Sequence, residues 1–80
     1  MPTILRVDGY EIMIYVDDHA PPHVHVFAHG CEAIVNLSCP NGDPEIRDAY
    51  HCKARVVKGA LRVVTAHQSL LCTMWKEIHG

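Results

Sequence analysis

The sequence lacks any long apolar run, and this absence excludes a transmembrane helix. No stretch approaches the ~18 consecutive apolar residues that a membrane-spanning helix requires. No charged start followed by an apolar core marks a signal peptide either. We therefore expect no membrane partner and a cytoplasmic location. No internal repeat, low-complexity tract or linker divides the chain of 80 residues, so residues 1–80 are expected to form a single domain.

Closely spaced cysteine pairs are also missing. The four cysteines are Cys31, Cys39, Cys52 and Cys72, and no two of them form a Cys-x-x-Cys pair. This spacing argues against a zinc ribbon. In a reducing cytosol the four side chains are expected to be free thiols that pack as small apolar groups.

Basic residues are nearly absent from the first half of the chain. Residues 1–45 contain one base and seven acids, residues 46–80 contain six bases and two acids, and −6 plus +4 gives the net charge of −2. In the basic half, Arg55, Lys58 and Arg62 recur at steps of three and four residues. This stripe is a candidate surface for phosphate groups, RNA among them, or for a partner protein. The alternative is a solvated helix face.

Alternating apolar residues predict an antiparallel sheet. Asp8-Gly9 is a strong hairpin signal and follows the β-branched residues of the first strand. On the second strand Tyr10, Ile12 and Ile14 share one apolar face with Val16. The strands predicted with this logic are residues 3–7, 10–16, 24–29 and 32–37. A loop covers residues 38–44, and residues 45–50 are left open as a short fifth strand, since Asn41-Gly42 can turn a hairpin.

In the remaining residues the spacing of the apolar side chains changes from two residues to three and four. Residues 53–78 contain no proline, and apolar side chains recur at three- and four-residue steps, which predicts one amphipathic helix. We therefore expect an α+β fold, an antiparallel β-meander of four to five strands packed against one long C-terminal helix. Trp75 is expected in the core. A second apolar row of Val56, Val63 and Leu70 predicts an oligomer face, with a homodimer as the expected state.

Side chains that can bind a metal or transfer a proton are concentrated between Asp18 and His25. This segment also contains His19, Pro21, Pro22 and His23. The prolines stiffen the approach to a strand. His23 and His25 then project from one face, roughly 6.6 Å apart at ~3.3 Å rise per residue, and we expect both rings to be at least partly accessible. With His19 nearby, the three imidazoles are candidate ligands of Zn²⁺ or another divalent metal, and Asp17 or Asp18 can add a carboxylate. The alternatives are an acid–base pair for RNA hydrolysis and a structural role in holding the loop.

The motif Asp18-His19-x-Pro21-Pro22-His23-x-His25, with the opening Met1-Pro2-Thr3-Ile4 and the helical pair His67 and Trp75, resembles family 4160 of the bacterial domains of unknown function. The resemblance implies one half of a toxin–antitoxin-like gene pair and no established activity. Our first expectation is therefore a component of such a pair that acts through a protein partner or RNA. The alternatives are a divalent-metal protein centred on His19, His23 and His25, and an oligomeric binding module without catalysis. Whether the protein is an enzyme stays open.

Overall fold

The computed structural model describes residues 4–80. The predicted first strand begins at Thr3, which lies outside the described residues. The elements are β1 Leu5–Val7, β2 Tyr10–Met13, β3 His23–Ala28, β4 Cys31–Asn36, β5 Glu45–Tyr50, α1 Ala54–Ala66 and α2 Gln68–His79. The five strands form one antiparallel sheet in the order β1-β2-β3-β4-β5. The predicted meander is thus confirmed, and the fifth strand that the sequence left open is present.

Two tight turns set the register of the sheet. Asp8 (φ 51°) and Gly9 (φ 83°) join β1 to β2, and His29 (φ 50°) and Gly30 (φ 74°) join β3 to β4. Positive φ at both central residues gives a type I′ turn, whose twist matches that of the flanking strands. Val7 is therefore paired with Tyr10, and the predicted Asp8-Gly9 hairpin is confirmed.

The second strand is shorter than its apolar pattern predicts. It ends at Met13, because the Asp18 backbone N–H donates to the Tyr15 carbonyl at 3.0 Å and closes a turn. Ile14 still reaches the core, but Val16, expected on the same apolar face, is 60% exposed. This turn changes the direction of the chain after Met13, and the alternation of apolar residues gives no sign of it.

The core lies between one face of the sheet and the helices. The predicted inward residues of β2, β3 and β4 are buried, and they pack with apolar side chains of both helices; the full set is Tyr10, Ile12, Ile14, Val24, Val26, Ala28, Cys31, Ala33, Val35, Leu37, Val56, Ala60, Val63, Val64, Leu71 and Trp75. The predicted burial of Trp75 is confirmed. None of the helices within residues 4–80 is long and apolar enough to cross a membrane.

The predicted single helix is two helices that meet at His67 (φ −118°, ψ 20°). The His67 ring explains the break, since its Nδ1 lies 2.9 Å from the Val63 carbonyl that a continuous helix would offer to the His67 backbone. The His67 backbone N–H donates instead to Val64. Gln68 then fastens the start of α2 to the β4–β5 loop by donating to the carbonyls of Leu37, Ser38 and Gly42 at 2.8, 3.2 and 2.6 Å.

This break also corrects the predicted oligomer face. Val56 is 7% exposed and Val63 is 3% exposed, so both lie in the protein's own core. Leu70, on the second helix, is 47% exposed. The three side chains do not form one exposed apolar row, because the seven-residue spacing spans two helices with different directions. Self-association stays a prediction without this face to support it.

The expectation of free thiols is wrong. Cys31 is bonded to Cys52, and Cys39 is bonded to Cys72. The first bond joins the start of β4 to the segment between β5 and α1. The second joins the β4–β5 loop to α2. Spacing alone could not reveal these pairs, since four cysteines allow three connectivities.

Candidate metal centre

The two histidines of β3 lie on the sheet face opposite the core. Val24 and Val26 point inward, so His23 and His25 project from the other side of the strand. Their rings are close neighbours, with centroids 5.3 Å apart and planes inclined at 62°. The predicted shared face and proximity of this pair are confirmed.

Asp18 completes the cluster from the loop between β2 and β3. The Tyr15 backbone N–H donates to its Oδ2 at 3.1 Å, which fixes the carboxylate. Its Oδ1 then lies 3.4 Å from His23 Nε2 and 3.3 Å from His25 Nε2. One ligand atom from each of Asp18, His23 and His25 falls within 4.8 Å of the others. Two imidazoles therefore converge on a single carboxylate.

The electrostatics of Asp18 favour its ionised form. Burial raises the pKa of this carboxyl, but the hydrogen bond from Tyr15 and the neighbouring His25 and His23 outweigh that effect and hold the pKa below its usual value. Asp18 is thus a carboxylate at neutral pH. This is the state in which it can bind a cation.

The outer nitrogens of both rings also face oxygen acceptors. His25 Nδ1 lies 3.2 Å from Glu32 Oε2, and His23 Nδ1 lies 3.0 Å from the Pro21 carbonyl. Pro21 therefore contributes a backbone acceptor, while the Pro22 carbonyl accepts from the Leu37 N–H at 3.0 Å and docks the loop onto β4. A neutral imidazole donates from one nitrogen only. With the proton on Nδ1, each Nε2 lone pair points towards Asp18.

The cluster is more enclosed than the sequence predicts. The side chains of His23, His25 and Asp18 are only 7%, 13% and 14% exposed. Trp75 of α2 covers His23, with ring centroids 5.3 Å apart, and the Tyr15 ring meets His25 edge-on at 4.7 Å. The expected accessibility of His23 is wrong, because a residue far along the chain closes over it.

Next to the cluster, a pocket opens between the loop and the end of α2. It is lined by Asp18, His19, Ala20, Trp75, Lys76, His79 and Gly80. The His79 ring stacks on Trp75 at 3.8 Å, and its Nε2 lies 3.1 Å from the Tyr15 carbonyl. Water can therefore reach the Asp18 side of the cluster through this pocket.

The predicted residue set needs one exchange. His19 is exposed and lies outside the group of close ligand atoms, and Asp18 takes its place. Sequence reasoning missed Glu32, Trp75 and His79 as parts of the site. The pairing of β3 with β4 was the available signal for Glu32, because its strand position faces the same side as His25. Contacts between α2 and the loop left no comparable signal.

The other predicted binding residues lie away from this cluster. Arg55, Lys58 and Arg62 are exposed on α1, as predicted, and none of them belongs to the cluster. His67 faces its own helix at the break between α1 and α2.

The fold and the cluster together define a small α+β domain with two histidines and one carboxylate on the open face of a meander. Residues 9–76 match the model of one family, described as Domain of unknown function (DUF4160). The chain belongs to this family. No curated protein and no solved structure matches it significantly.

Proposed function

We propose that the protein binds a divalent transition-metal ion through His23 Nε2, His25 Nε2 and the Asp18 carboxylate. The observation that carries this proposal is the convergence of both Nε2 atoms on Asp18 Oδ1, at 3.4 and 3.3 Å, while each Nδ1 faces another oxygen. A metal-binding histidine in most proteins donates its second ring N–H to a carboxylate or a backbone carbonyl. Glu32 and Pro21 provide one of each.

The alternative to a metal is a proton. When both histidines are neutral and protonated on Nδ1, three lone-pair groups converge on one point and repel each other. A cation relieves this repulsion, either as protons on Nε2 or as one metal ion shared by all three groups. The Asn36 Oδ1 atom, on the residue paired with His23 across the sheet, is buried without a hydrogen-bond partner among residues 4–80. A water bound to the metal would be a donor of the kind that this oxygen lacks.

Zinc fits the donor set best. Two imidazole nitrogens and one carboxylate oxygen are ordinary zinc ligands, and a set of three protein ligands leaves a fourth position for water. The same set also suits non-haem Fe²⁺. The pocket beside Asp18 gives the fourth position a route to solvent. Three ligands next to a pocket are the pattern of a reactive zinc site rather than a closed structural one.

A competition titration with a chromophoric chelator tests the proposal. Native protein should take up one Zn²⁺, and His25→Ala should abolish this uptake. His29→Ala is the matched control, because His29 is exposed and lies outside the cluster, and it should bind zinc as the native protein does. Glu32→Gln should weaken binding by about 10- to 100-fold through the outer hydrogen bond. Equal zinc uptake by native protein and His25→Ala would refute the proposal.

The pairing with a second gene product remains a separate proposal. The exposed stripe Arg55, Lys58 and Arg62 supports binding to a partner protein or RNA. None of these side chains has a carboxylate within 4 Å among residues 4–80, so their charges are not paired within the described part of the protein. Co-expression with the product of the neighbouring gene tests it. Growth arrest by this protein alone, relieved by the neighbour, is the predicted result, and the absence of either effect would contradict it.

A further inference from the structure

A second pocket lies at the other end of β3, beside the His29-Gly30 turn. It is lined by Tyr10, His29, Cys31, His51, Lys53, Arg55 and Val56. Four of these seven residues carry basic side chains, and none carries a carboxylate. The lining comes from the start of β2, the β3–β4 turn, the start of β4, the segment before α1 and the first turn of α1. Residues distant in sequence thus place the two cations Lys53 and Arg55 and two imidazoles around one concave surface.

Among residues 4–80, no carboxylate forms an ion pair with the basic side chains around this pocket. The ion pairs found in residues 4–80 join Arg6 to Glu11, and join His23 and His25 to Asp18 and Glu32. None of them involves His29, His51, Lys53 or Arg55. Each of these four side chains is therefore available to a ligand, and together they attract an anion.

One disulfide bond and one buried hydrogen bond fix the shape of the pocket. The Cys31–Cys52 bond brings the two Cα atoms to 4.6 Å, so it ties His51 and Lys53, the neighbours of Cys52, to β4. Tyr10 Oη donates to the Val56 carbonyl at 3.3 Å and so connects the first turn of α1 to the sheet. The positions of Lys53 and Arg55 are thus set by buried contacts rather than by a free loop.

An aromatic groove adjoins the pocket. It shares His29, Cys31 and His51 with the pocket and adds Phe27 and Tyr50. Tyr50 is 48% exposed, so about half of its surface is open to a ligand. Glu11 and Glu32 also line the groove, but their carboxylates face Arg6 at 2.9 Å and His25 at 3.2 Å. The groove therefore places an exposed aromatic side chain next to a pocket that contains Lys53 and Arg55.

We propose that this surface binds single-stranded nucleic acid without sequence preference. One phosphate lies among His51, Lys53 and Arg55, an unpaired base stacks on Tyr50, and later phosphates contact Lys58 and Arg62 along α1. Cationic tracks combined with stacking platforms are the usual means of such binding. The proposal does not depend on the metal centre, because none of the residues assigned to the nucleic acid is a metal ligand. Glu32 both lines the groove and contacts a ligand histidine, His25.

Fluorescence anisotropy with a labelled oligouridine of about ten nucleotides tests the proposal on the oxidised native protein. Affinity should fall with added salt, with a log–log slope of about −2 for three contacts on a single strand. Arg55→Glu should weaken binding at least tenfold. Lys76→Glu, the same charge change on exposed α2, is the matched control and should bind as the native protein does. Tyr50→Ser should weaken binding by about tenfold through lost stacking.

Three further arms separate the sources of binding. Uridine monophosphate should compete far more weakly than the oligouridine, because it offers one phosphate only. A duplex of equal length should bind more weakly, because its bases are not free to stack on Tyr50. His23→Ala, which removes a metal ligand whose polar partners Pro21 and Asp18 lie outside the groove, should bind the oligouridine as the native protein does even if it has lost zinc. No binding at low salt, a tighter duplex, equal competition by the mononucleotide, or equal losses in Arg55→Glu and Lys76→Glu would each overturn the proposal.

Discussion

Asp18 determines what the cluster can do at the scale of single residues. Its Oδ1 faces two imidazoles, and its Oδ2 is held by the Tyr15 N–H. Sequence reasoning identified the histidine pair from alternation along one strand. It proposed Asp17 or Asp18 as the carboxylate, but it could not choose between them because the choice depends on a turn of four residues. The turn buries most of Asp18 and leaves Asp17 exposed.

Asp18 should also make stability depend on acid. Because folding lowers the pKa of Asp18, the unfolded chain binds its proton more readily, and stability rises with pH between the two pKa values. The stabilisation is present above the unfolded pKa of about 3.9 and is lost as pH falls through the lower folded pKa. In urea unfolding, Asp18→Asn should be less stable than native protein at pH 6 and should approach it near pH 3, values on either side of about 3.9. The exposed Asp17→Asn should show no such convergence, and a constant gap for Asp18→Asn would refute the account.

Gly59 gives a second residue-scale prediction. Helix α1 approaches the sheet closely at this glycine: a methyl group there would overlap the Tyr10 hydroxyl and lie 2.8 Å from Tyr10 Cζ. Alanine favours a helix by ~1 kcal/mol over glycine, yet we expect Gly59→Ala to lower the free energy of unfolding by about 1–3 kcal/mol through overpacking.

Urea unfolding measures this effect, and Tyr10→Ala provides the control. In the Tyr10→Ala background the clash is gone, so Gly59→Ala should be neutral or stabilising. A stabilising Gly59→Ala in the native background would show that the close approach does not exist in solution.

At the scale of elements, the strands and the helical region were predictable, and the division of that region into two helices was not. Alternation in β2, β3 and β4 correctly assigned the buried faces, because a sheet with one covered face requires period two. The 3.6-residue period correctly indicated helix after residue 53. It could not show the break at His67, because that break results from a side chain competing for a backbone carbonyl and from the docking of Gln68 on a distant loop. Both interactions are tertiary.

Gln68 should therefore matter more than an average polar residue. Its amide donates to carbonyls on both sides of the β4–β5 loop, and its loss leaves partly buried acceptors unsatisfied. We expect Gln68→Ala to lower the free energy of unfolding by about 1–3 kcal/mol. Ser69→Ala, at the neighbouring exposed position, should change it by less than about 0.5 kcal/mol. Equal effects of the two changes in urea unfolding would contradict the proposed anchoring.

At the scale of the whole molecule, two covalent bonds supplement a small core. An 80-residue domain buries a limited apolar surface, and disulfides often compensate for this. They are rare in a reducing cytosol, which weighs against the predicted cytoplasmic location. The acidic and basic halves of the sequence also contribute to different sites in the structure. The carboxylate of the metal centre comes from the acidic half, and most of the basic pocket comes from the other half.

Reduction should destabilise the protein markedly. Each disulfide of this kind contributes about 2–4 kcal/mol, largely by restricting the unfolded chain. Cys39→Ser with Cys72→Ser, made together, removes the bond that closes the longer loop and should lower the Tm measured by circular dichroism. Dithiothreitol should lower the Tm of native protein further, since it also opens Cys31–Cys52. An unchanged Tm under reducing conditions would contradict a structural role for both bonds.

The metal centre is the central claim, and anomalous diffraction at the zinc edge tests it most directly. Crystals grown with one equivalent of Zn²⁺ should show a single strong peak at ~2.0–2.2 Å from His23 Nε2, His25 Nε2 and an Asp18 oxygen. Glu32 and Pro21 should remain on the outer nitrogens of the two rings. A strong peak elsewhere on the chain, with none among these three side chains, would contradict the account.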